Sequence, residues 1–407
     1  MKYILYVGFP GFPVGLAQIK RQLLIAKGLT ETGCSVRVFN RVGTHKPGKD
    51  PPVFIKGTFE GIEYEYCSGT PYRPTGFVKR NLLKGYGLFN ELKLIASCRR
   101  NHKADAIIIS SNVLWELVYY TLLAKLLRIR SVFDAVEYWS TPKKGIAKFA
   151  LWLKNRLYID LADRIFVISD YLYDRVIREK PGKPILRVPP LCDFNLFVNP
   201  AQGCTRAKRK SGFLFCGSLA YSEVIYFIIE AYRKLNTDTG LVIIASGDRD
   251  AELEKLKEAV NREQSDHITL LNNITDEELI RSYKNSIALL IPMRPTIQDI
   301  ARFPHKIGEY TAAARPIVST NIGEIKNFFK DGVNAFVADS YDTGAFSFKM
   351  KEILEKPELA DEIGRQGFQT GLQHFDYRKN GVMIYDFLFN SGNQIQMGTE
   401  RLNIIPS

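Results

Sequence analysis

A lysine and a glutamate three residues apart, Lys306 and Glu309, are the strongest candidates for a functional site in this sequence. They lie in the segment FPHKIGEYTAAARPIVSTNIGE, which runs from Phe303 to Glu324. Pro304 fixes its own φ and disfavours helix at the residue before it, so we expect a helix that begins after Pro304 and runs through Ala314. An ammonium and a carboxylate on one face near a helix N-terminus, where free N–H groups attract anions, would suit a ligand with phosphate and sugar hydroxyl groups.

The same segment continues as a strand and a turn. Arg315-Pro316 is expected to end the helix, and the β-branched residues that follow predict a buried strand and then a turn at Asn321 to Gly323. These elements are typical of one unit of a parallel sheet. An ordinary Lys/Glu pair on a helix surface remains the alternative, because such pairs are common.

Short apolar runs alternate with helix-length segments in both halves of the chain, which predicts an α/β protein with two Rossmann-like, doubly wound parallel sheets. The predicted strands of the first half are Tyr3 to Val7, Val36 to Phe39, Ala106 to Ile109, Ser131 to Phe133 and Ile165 to Ile168. Those of the second half are Phe213 to Cys216, Leu241 to Ala245, Ile268 to Leu271, Ala288 to Ile291, Ile317 to Thr320 and Ala335 to Val337. A length of 407 residues with 45% hydrophobic content is enough for two domains, each with its own core.

A polar and basic stretch, Asn199 to Ser211, separates the two halves and predicts a linker. We therefore place a first domain at residues 1–198 and a second at residues 199–375. A last helical pattern, Asp376 to Phe389, follows the second domain.

Ligands of open parallel sheets bind beyond the carboxyl ends of the strands, which for two facing sheets is the cleft between them. The loop GFPGFPVG, from Gly8 to Gly15, follows the first strand and precedes a helix predicted at about Leu16 to Leu29. Its backbone would allow close approach of a phosphate or an acidic sugar, although its glycine spacing matches neither a dinucleotide-binding fingerprint nor a P-loop.

Two carboxylates are predicted at the same edge. In the segment FDAVEYW, Asp134 and Glu137 come just past a strand's carboxyl end, where they would meet the hydroxyl groups of an acceptor. The alternative for Asp134 is that it caps the next helix.

The net charge of +13 is concentrated in the first half. Residues 1–190 carry 31 Lys and Arg against 15 Asp and Glu, whereas residues 191–407 carry 25 against 28. The excess is densest at Arg73 to Lys103 and at Lys143 to Arg156, where basic residues interleave with apolar ones. Both stretches predict amphipathic helices suited to an anionic bilayer surface, the alternative being core-facing stripes with a solvated basic face.

The cysteine and hydropathy patterns indicate the cellular compartment of the protein. The six cysteines include no CxxC pair and no His/Cys cluster, which argues against a zinc site or a disulfide framework and favours a reducing cytosol. No apolar run approaches the roughly 18 residues of a membrane span, and the opening MKYILYVG is too short for a signal peptide. We expect a cytoplasmic protein, peripheral on the inner face of a membrane.

The segment around Lys306 and Glu309 resembles the FPSK-x-x-EY-x-A-x-G-x-P-V-x-A-T form of the site in family 4 retaining glycosyltransferases of the GT-B fold. Further similar segments occur in the same order along the chain. They are FVISDYL and RVPPLCDFNLF within Phe166 to Phe197, FLFCGSL at Phe213 to Leu219, and Leu270 to Pro292 with its DEEL motif and a strand ending in IALLIP.

The resemblance implies a nucleotide-sugar donor held by the second domain, with no metal and no further cofactor. Glu309 would accept hydrogen bonds from the ribose, and Lys306 would neutralise the leaving diphosphate. Residues 376–407 would cross back and complete the first domain. Further donor contacts would come from Gly15, Gly217, Ser218, Asn273, Arg294, Asn321, Ile322, Gly323 and Glu324.

This chain departs from the family pattern at two sites. The family carries a second glutamate eight residues before the one at Glu309, where this chain has Ala301. Asp299 and Arg302 are the candidates to compensate, but neither is a positional match. The family's glycine-rich turn carries an Arg and a Lys, which GSLAYSEV replaces with Ser218 and Ser222. Arg294 and Arg302 are the candidates to restore these cations, and Arg302 joins Lys306 and Glu309 in the expected catalytic set.

The resulting hypothesis is a retaining glycosyltransferase that extends a lipid-linked saccharide of a cell-envelope polysaccharide. Its partners would be a nucleotide-sugar donor, the saccharide acceptor and an anionic membrane surface. A non-catalytic GT-B saccharide-binding or scaffold protein is the alternative from another class. A sugar-nucleotide epimerase or a phosphorylase lacks support from a clear acid-base set, and nucleic-acid binding would rest on charge alone.

Overall fold

Two sheets, with strands running parallel except at one edge, form the framework of the molecule. The computed structural model describes residues 1–48, 52–138, 145–198, 212–247, 250–262, 267–272 and 274–390. The first sheet has the order β3-β4-β2-β1-β5-β6-β7-β8 and the second the order β11-β10-β9-β12-β13-β14. The strands of the first are β1 (Tyr3–Gly8), β2 (Ser35–Asn40), β3 (Lys56–Phe59), β4 (Ile62–Tyr66), β5 (Ala106–Ser110), β6 (Arg130–Ala135), β7 (Arg164–Val167) and β8 (Ile185–Arg187). Those of the second are β9 (Phe213–Ser218), β10 (Leu241–Ser246), β11 (Ile268–Asn272), β12 (Ala288–Ile291), β13 (Ile317–Thr320) and β14 (Phe336–Ala338).

Helices connect the strands and cover both sheets. In the first half they are α1 (Ala17–Glu31), α2 (Phe77–Arg100), α3 (Leu114–Leu127), α4 (Ile146–Leu161), α5 (Asp170–Glu179) and α6 (Asn195–Val198). In the second half they are α7 (Ser222–Leu235), α8 (Asp250–Arg262), α9 (Asp276–Asn285), α10 (Ile297–Ala301), α11 (Lys306–Ala312), α12 (Ile325–Phe328), α13 (Thr343–Glu355), α14 (Pro357–His374) and α15 (Tyr377–Phe389). Every residue of β5 and of β12 is buried, as expected for parallel strands covered on both faces.

Each strand predicted from the sequence is found, within two residues at either end, and three strands of the first sheet were not predicted. The expectation of a wholly parallel sheet is wrong at its edge, where β3 and β4 pair antiparallel. Glu60 and Gly61 join them with φ values of 48° and 80°, the left-handed pair that a tight two-residue hairpin needs. Every residue of β3 is exposed, so its sequence carries no apolar alternation that would have identified it.

The chain passes between the two sheets at two neighbouring places. The predicted linker at 199–211 lies outside the described residues, as do residues 391–407, so the proposed domain limits stay a prediction. Just before that stretch, the Cys192 N–H donates to the Phe375 carbonyl at 2.8 Å, and the Tyr377 N–H donates to the Cys192 carbonyl at 3.2 Å. The outgoing and returning segments are therefore hydrogen-bonded to each other.

The last helix, α15, packs against α1 of the first half through two glycines. A Cβ atom added to Gly28 would lie 2.6 Å from the Tyr377 carbonyl oxygen, and one added to Gly381 would lie 2.6 Å from the Gly28 backbone. At the other end of α15, Arg130 and Arg164 donate to the carbonyls of Leu388 and Phe387. Cations at a helix C-terminus are favourable, so this helix is fixed to the first half at both ends.

We predict that Gly381→Val destabilises the protein by about 1–3 kcal/mol, because the larger side chain must push α15 away from α1. Urea unfolding of the variant and of wild type measures this difference. Val382→Ala, one residue along at a position that is half exposed, is the matched control and should be nearly neutral. Equal stability of Gly381→Val and wild type would contradict the close helix contact.

Candidate functional site

The predicted helix after Pro304 is present as α11 but is shorter than expected. It ends at Ala312 rather than Ala314, because Ala314 adopts a left-handed φ of 53° ahead of Arg315-Pro316. The Tyr310 hydroxyl accepts a hydrogen bond from the Cys216 N–H at 2.9 Å, which ties α11 to the first strand of the second sheet.

Glu309 lies on α11 between cations from both halves of the chain. Its Oε2 is 2.8 Å from Lys306 Nζ and accepts a hydrogen bond from the Tyr283 hydroxyl at 3.1 Å. Its Oε1 is 3.8 Å from Lys20 Nζ, on α1 of the first half. The predicted shared face of Lys306 and Glu309 is confirmed. The side chains of the pair are only 27% and 19% exposed and face the first half, so it is not the ordinary surface pair of the alternative.

Electrostatics keep this pair charged. Burial alone raises the pKa of Glu309, but the charges of Lys306 and Lys20 outweigh it and hold the pKa below its ordinary value. Burial lowers the pKa of Lys306, yet Glu309 more than compensates and the pKa is raised. His305, just before α11, has its pKa lowered to about 3 by burial and by the charge of Arg21, so it is neutral at physiological pH. The site therefore presents one carboxylate and two ammonium groups.

A second cluster of charged side chains forms around Asp299, which is fully buried, and it includes Glu223, a further partner of Arg294. Its Oδ1 pairs with Arg294 at 2.7 Å and with Arg302 at 3.0 Å. Both guanidinium groups lie over the Tyr221 ring, at 5.4 Å and 4.1 Å from its centroid. Tyr221 follows Ser218 in the turn after β9. Arg294 and Arg302 therefore bring cations to this turn, where serines stand in place of the Arg and Lys of the family 4 pattern.

The position at which the family 4 pattern carries a second glutamate is closed in this chain. Ala301 is fully buried, and its carbonyl accepts a hydrogen bond from the Ser169 hydroxyl at 2.7 Å. Asp299 does not take the role of that glutamate in binding a ligand, because its carboxylate is paired with Arg294 and Arg302. Asp299 serves as their counter-ion.

The loop after β13 contacts the first half of the chain rather than an open site. The Glu324 carboxylate accepts a hydrogen bond from the Asp170 N–H at 2.6 Å, at the start of α5. The N–H groups of Asn321 and Ile322 already donate to the Ala338 and Thr320 carbonyls. These two N–H groups are therefore not free to bind the donor, whereas the predicted donor contacts of Gly323 and of the Glu324 N–H stay predictions. Gly323, with a φ of 60°, forms the turn.

Asp134 was predicted just past a strand and facing an acceptor, but it lies within β6. Its two oxygens accept hydrogen bonds from Arg21 of α1, both at 2.9 Å, and both side chains are almost fully buried. Arg21 also donates to the carbonyls of Val188 and Pro189. Asp134 therefore anchors α1 and neither meets an acceptor nor caps a helix.

Glu137 does lie past the end of β6 and is half-buried. Burial raises its pKa, against the opposing charges of Arg302 and Lys154. A carboxylate of the first half thus lies near the Arg302 cluster of the second half. The role of Glu137 on the acceptor side stays a prediction.

The remaining predicted donor contacts are Gly15, Gly217, Ser218 and Asn273. Gly15 lies at the start of α1, and Gly217 and Ser218 end β9, where the Ser218 hydroxyl accepts from the Ala220 N–H. Asn273 lies outside the described residues. No sequence pattern pointed to Asn40, whose Oδ1 accepts hydrogen bonds from the N–H groups of Gly11 and Phe12 and so fixes the glycine-rich loop. In the described part of the chain, no group of three or more His, Cys, Asp or Glu side chains is arranged to hold a metal ion.

Comparison with known proteins identifies the fold to which this architecture belongs. Residues 204–370, less than half of the chain, match the family described as glycosyl transferases group 1. Sucrose-phosphate synthase from Thermosynechococcus elongatus superimposes with a TM-score of 0.72 at 14% identity, covering 95% of this chain and 98% of that one. Anabaena HepE in complex with UDP and glucose gives 0.67 at 15% identity, covering 95% and 99%. The fold is GT-B: two Rossmann-like domains that face each other across a cleft.

Curated relatives match over shorter stretches. The GDP-mannose-dependent alpha-(1-6)-phosphatidylinositol monomannoside mannosyltransferase of Mycolicibacterium smegmatis is 21% identical over 239 residues, 56% of this chain and 62% of that protein. Across the curated relatives that match, the aligned part spans between 18% and 62% of the relative's own length.

We predict that Asp299→Asn destabilises the protein by about 3 kcal/mol, because it leaves two cations around a buried site without their shared carboxylate. Arg294 and Arg302 lower the pKa of Asp299 although burial raises it, so the stabilisation is present above the ordinary carboxyl value of 3.8. It should stay constant between about pH 7 and pH 5 and shrink as the pH falls below 3.8 towards the folded-state pKa.

Urea midpoints across this pH range measure the effect. Asp276→Asn, which removes a largely exposed partner of Lys20, is the control and should cost at most about 1 kcal/mol. Equal losses in the two variants would show that Asp299 is not the counter-ion of a buried cluster.

Proposed function

We propose that this protein is a retaining glycosyltransferase that transfers a sugar from a nucleotide-sugar donor. The carboxylate of Glu309, held among cations in the cleft, is the observation on which the proposal depends. The family match of residues 204–370, the GT-B fold and a structural neighbour solved with UDP and glucose support it.

In the proposed reaction the bond between the sugar and the diphosphate breaks, and an acceptor hydroxyl forms the new bond to the sugar. Glu309 binds the ribose hydroxyls of the donor. Negative charge grows on the departing diphosphate, where Lys306 and the guanidinium groups of Arg294 and Arg302 stabilise it. These side chains supply the positive charge that a metal ion would otherwise bring, so we propose that transfer needs no added metal.

Replacing Glu309 with Ala should lower transfer by roughly 10- to 100-fold, the effect of losing hydrogen bonds to a charged group. A radiochemical assay with a panel of nucleotide sugars measures it. Glu254→Ala, an exposed glutamate of α8, is the control and should keep wild-type turnover. Unchanged turnover in Glu309→Ala would remove this residue from the site.

The acceptor side of the first domain carries an unusual number of exposed apolar residues. A Cβ atom on Gly87 would lie 2.2 Å from the Arg41 carbonyl, at the carboxyl end of β2, so the part of α2 before Gly87 extends past the edge of the sheet. Helices α3 and α4 also begin at this edge, after β5 and β6. Large apolar side chains exposed in the first half or so of the three helices are Phe77, Val78, Leu82, Tyr86, Phe89, Trp115, Ile146, Phe149 and Trp152.

Basic residues accompany this apolar rim. Lys79 and Lys84 are exposed on α2, Arg80 is half-buried beside them, and Lys148 lies on α4. Lys154, predicted on the same basic face, is buried instead, and Lys143 and Lys144 lie outside the described residues. Apolar side chains bordered by Lys and Arg suit the surface of an anionic bilayer. None of the described helices is long and apolar enough to span a membrane.

We therefore extend the proposal to a lipid-linked saccharide acceptor, bound at the cytoplasmic face of a membrane during synthesis of a cell-envelope polysaccharide. The rim lies on the edge of the domain where the cleft opens, so a bilayer there would present an acceptor to Glu137. The name of the mycobacterial relative states a phosphatidylinositol-linked acceptor, which is consistent with this proposal.

Reversing the charge of Lys79, Arg80 and Lys84 to Glu should weaken binding to anionic vesicles by about 100-fold, at roughly 1 kcal/mol per basic residue near the surface. Cosedimentation with phosphatidylglycerol vesicles, against phosphatidylcholine vesicles, measures this. The control reverses Lys255, Lys257 and Lys351, exposed lysines of the second domain. Undiminished binding of the α2 variant would defeat the membrane proposal.

A saccharide-binding GT-B protein without catalysis remains the second candidate, because Ala301 is closed off where the family carries a carboxylate. Wild-type protein that binds nucleoside diphosphate yet neither transfers nor hydrolyses any nucleotide sugar would favour it.

A further inference from the structure

Lys20 is the cation that joins the first domain to the candidate site. Its Nζ lies 2.8 Å from Asp276 Oδ1, at the start of α9, and 3.8 Å from Glu309 Oε1. No sequence motif pointed to this residue. Lys20 therefore contacts the same carboxylate that the proposed function assigns to the ribose.

The cations of the cleft differ in how firmly they are held. Arg294 and Arg302 share Asp299, which is fully buried, and breaking such a pair costs about 3–5 kcal/mol. Lys306 pairs with Glu309 within the mostly buried site. Lys20 instead pairs with Asp276, whose side chain is 74% exposed, and exposed pairs contribute only about 0–1 kcal/mol. Lys20 is therefore the cation that a ligand displaces at least cost.

The backbone around Lys20 is fixed although its side chain is not. The next residue, Arg21, is bound to both oxygens of Asp134 and to two backbone carbonyls. This buried network sets the position of α1. The Lys20 side chain is 35% exposed and consists of a flexible four-carbon stem, so it can turn without moving the helix.

We propose that Lys20 is a diphosphate-binding residue contributed by the first domain. When ribose hydroxyls occupy Glu309, Lys20 leaves Glu309 and Asp276 and pairs with the phosphates of the nucleotide. Donor binding then connects the two domains through the ligand instead of through the Lys20–Asp276 pair. The inference rests on the proposed function in placing the nucleotide at Glu309.

Titration calorimetry with a graded ligand series tests this assignment. The ligands are uridine, UMP and UDP, with guanosine, GMP and GDP as the second series. Lys20→Met should bind the preferred diphosphate at least about tenfold more weakly and the nucleoside equally well, because only the phosphates meet Lys20. Glu309→Gln should already lose affinity for the nucleoside, since Glu309 meets the ribose.

Two further variants distinguish two possible roles of Lys20: binding phosphate, and linking the two domains through its ion pair with Asp276. Lys56→Met makes the same substitution on β3, at the far edge of the first sheet, and should bind like wild type. Asp276→Asn releases Lys20, so it should bind diphosphate as tightly as wild type or a few-fold more tightly.

Each contrary result has a distinct meaning. Wild-type affinity of Lys20→Met for UDP and GDP overturns the role of Lys20 and leaves the nucleotide site intact. Equal weakening of diphosphate binding in Lys20→Met and Asp276→Asn also overturns this role, because the Lys20–Asp276 pair would then act only as a link between the domains. Failure of wild type to bind either diphosphate removes the proposed nucleotide site itself, and Lys20 with it.

Discussion

A carboxylate enclosed between two domains must be neutralised, and the neutralisation of Glu309 organises this cleft. Burial opposes its charge, so the ionised form persists only because Lys306 from its own helix and Lys20 from the other domain lie within reach. A bound nucleotide would place ribose hydroxyl groups against Glu309 in place of Lys20. Its phosphates would then pair with both Lys306 and Lys20. The site thus already contains the charges that the proposed donor requires.

The fold delivers this arrangement through contacts far from the site. The Arg21–Asp134 pair sets α1 on the first sheet, and α15 packs against α1 through Gly28 and Gly381. On the other side, the hydrogen bond of Tyr310 to Cys216 fixes α11 on the second sheet. Contacts of Glu324 and Ala301 with the start of α5 hold the two domains together. Glu309 and Lys20 are consequently placed by buried polar contacts, while their own side chains stay partly open.

Local patterns predicted much of the fold and the centre of the site. The i, i+3 spacing of Lys306 and Glu309 and the apolar runs of β12 and β13 are encoded within a few residues, so they could be read from the sequence. Asp134 and Glu324 could not, because their partners Arg21 and Asp170 lie more than a hundred residues away in the chain. Lys20 was missed for the same reason, and β3 because its exposed residues carry no apolar period.

The proposed binding of a nucleotide's ribose to Glu309, in the cleft between the domains, can be examined in a crystal structure with the preferred nucleoside diphosphate. We expect ribose hydroxyl oxygens within hydrogen-bond distance of the Glu309 carboxylate, about 2.5–3.0 Å. A nucleotide bound elsewhere, with Glu309 still enclosed by Lys306 and Lys20, would contradict this proposal.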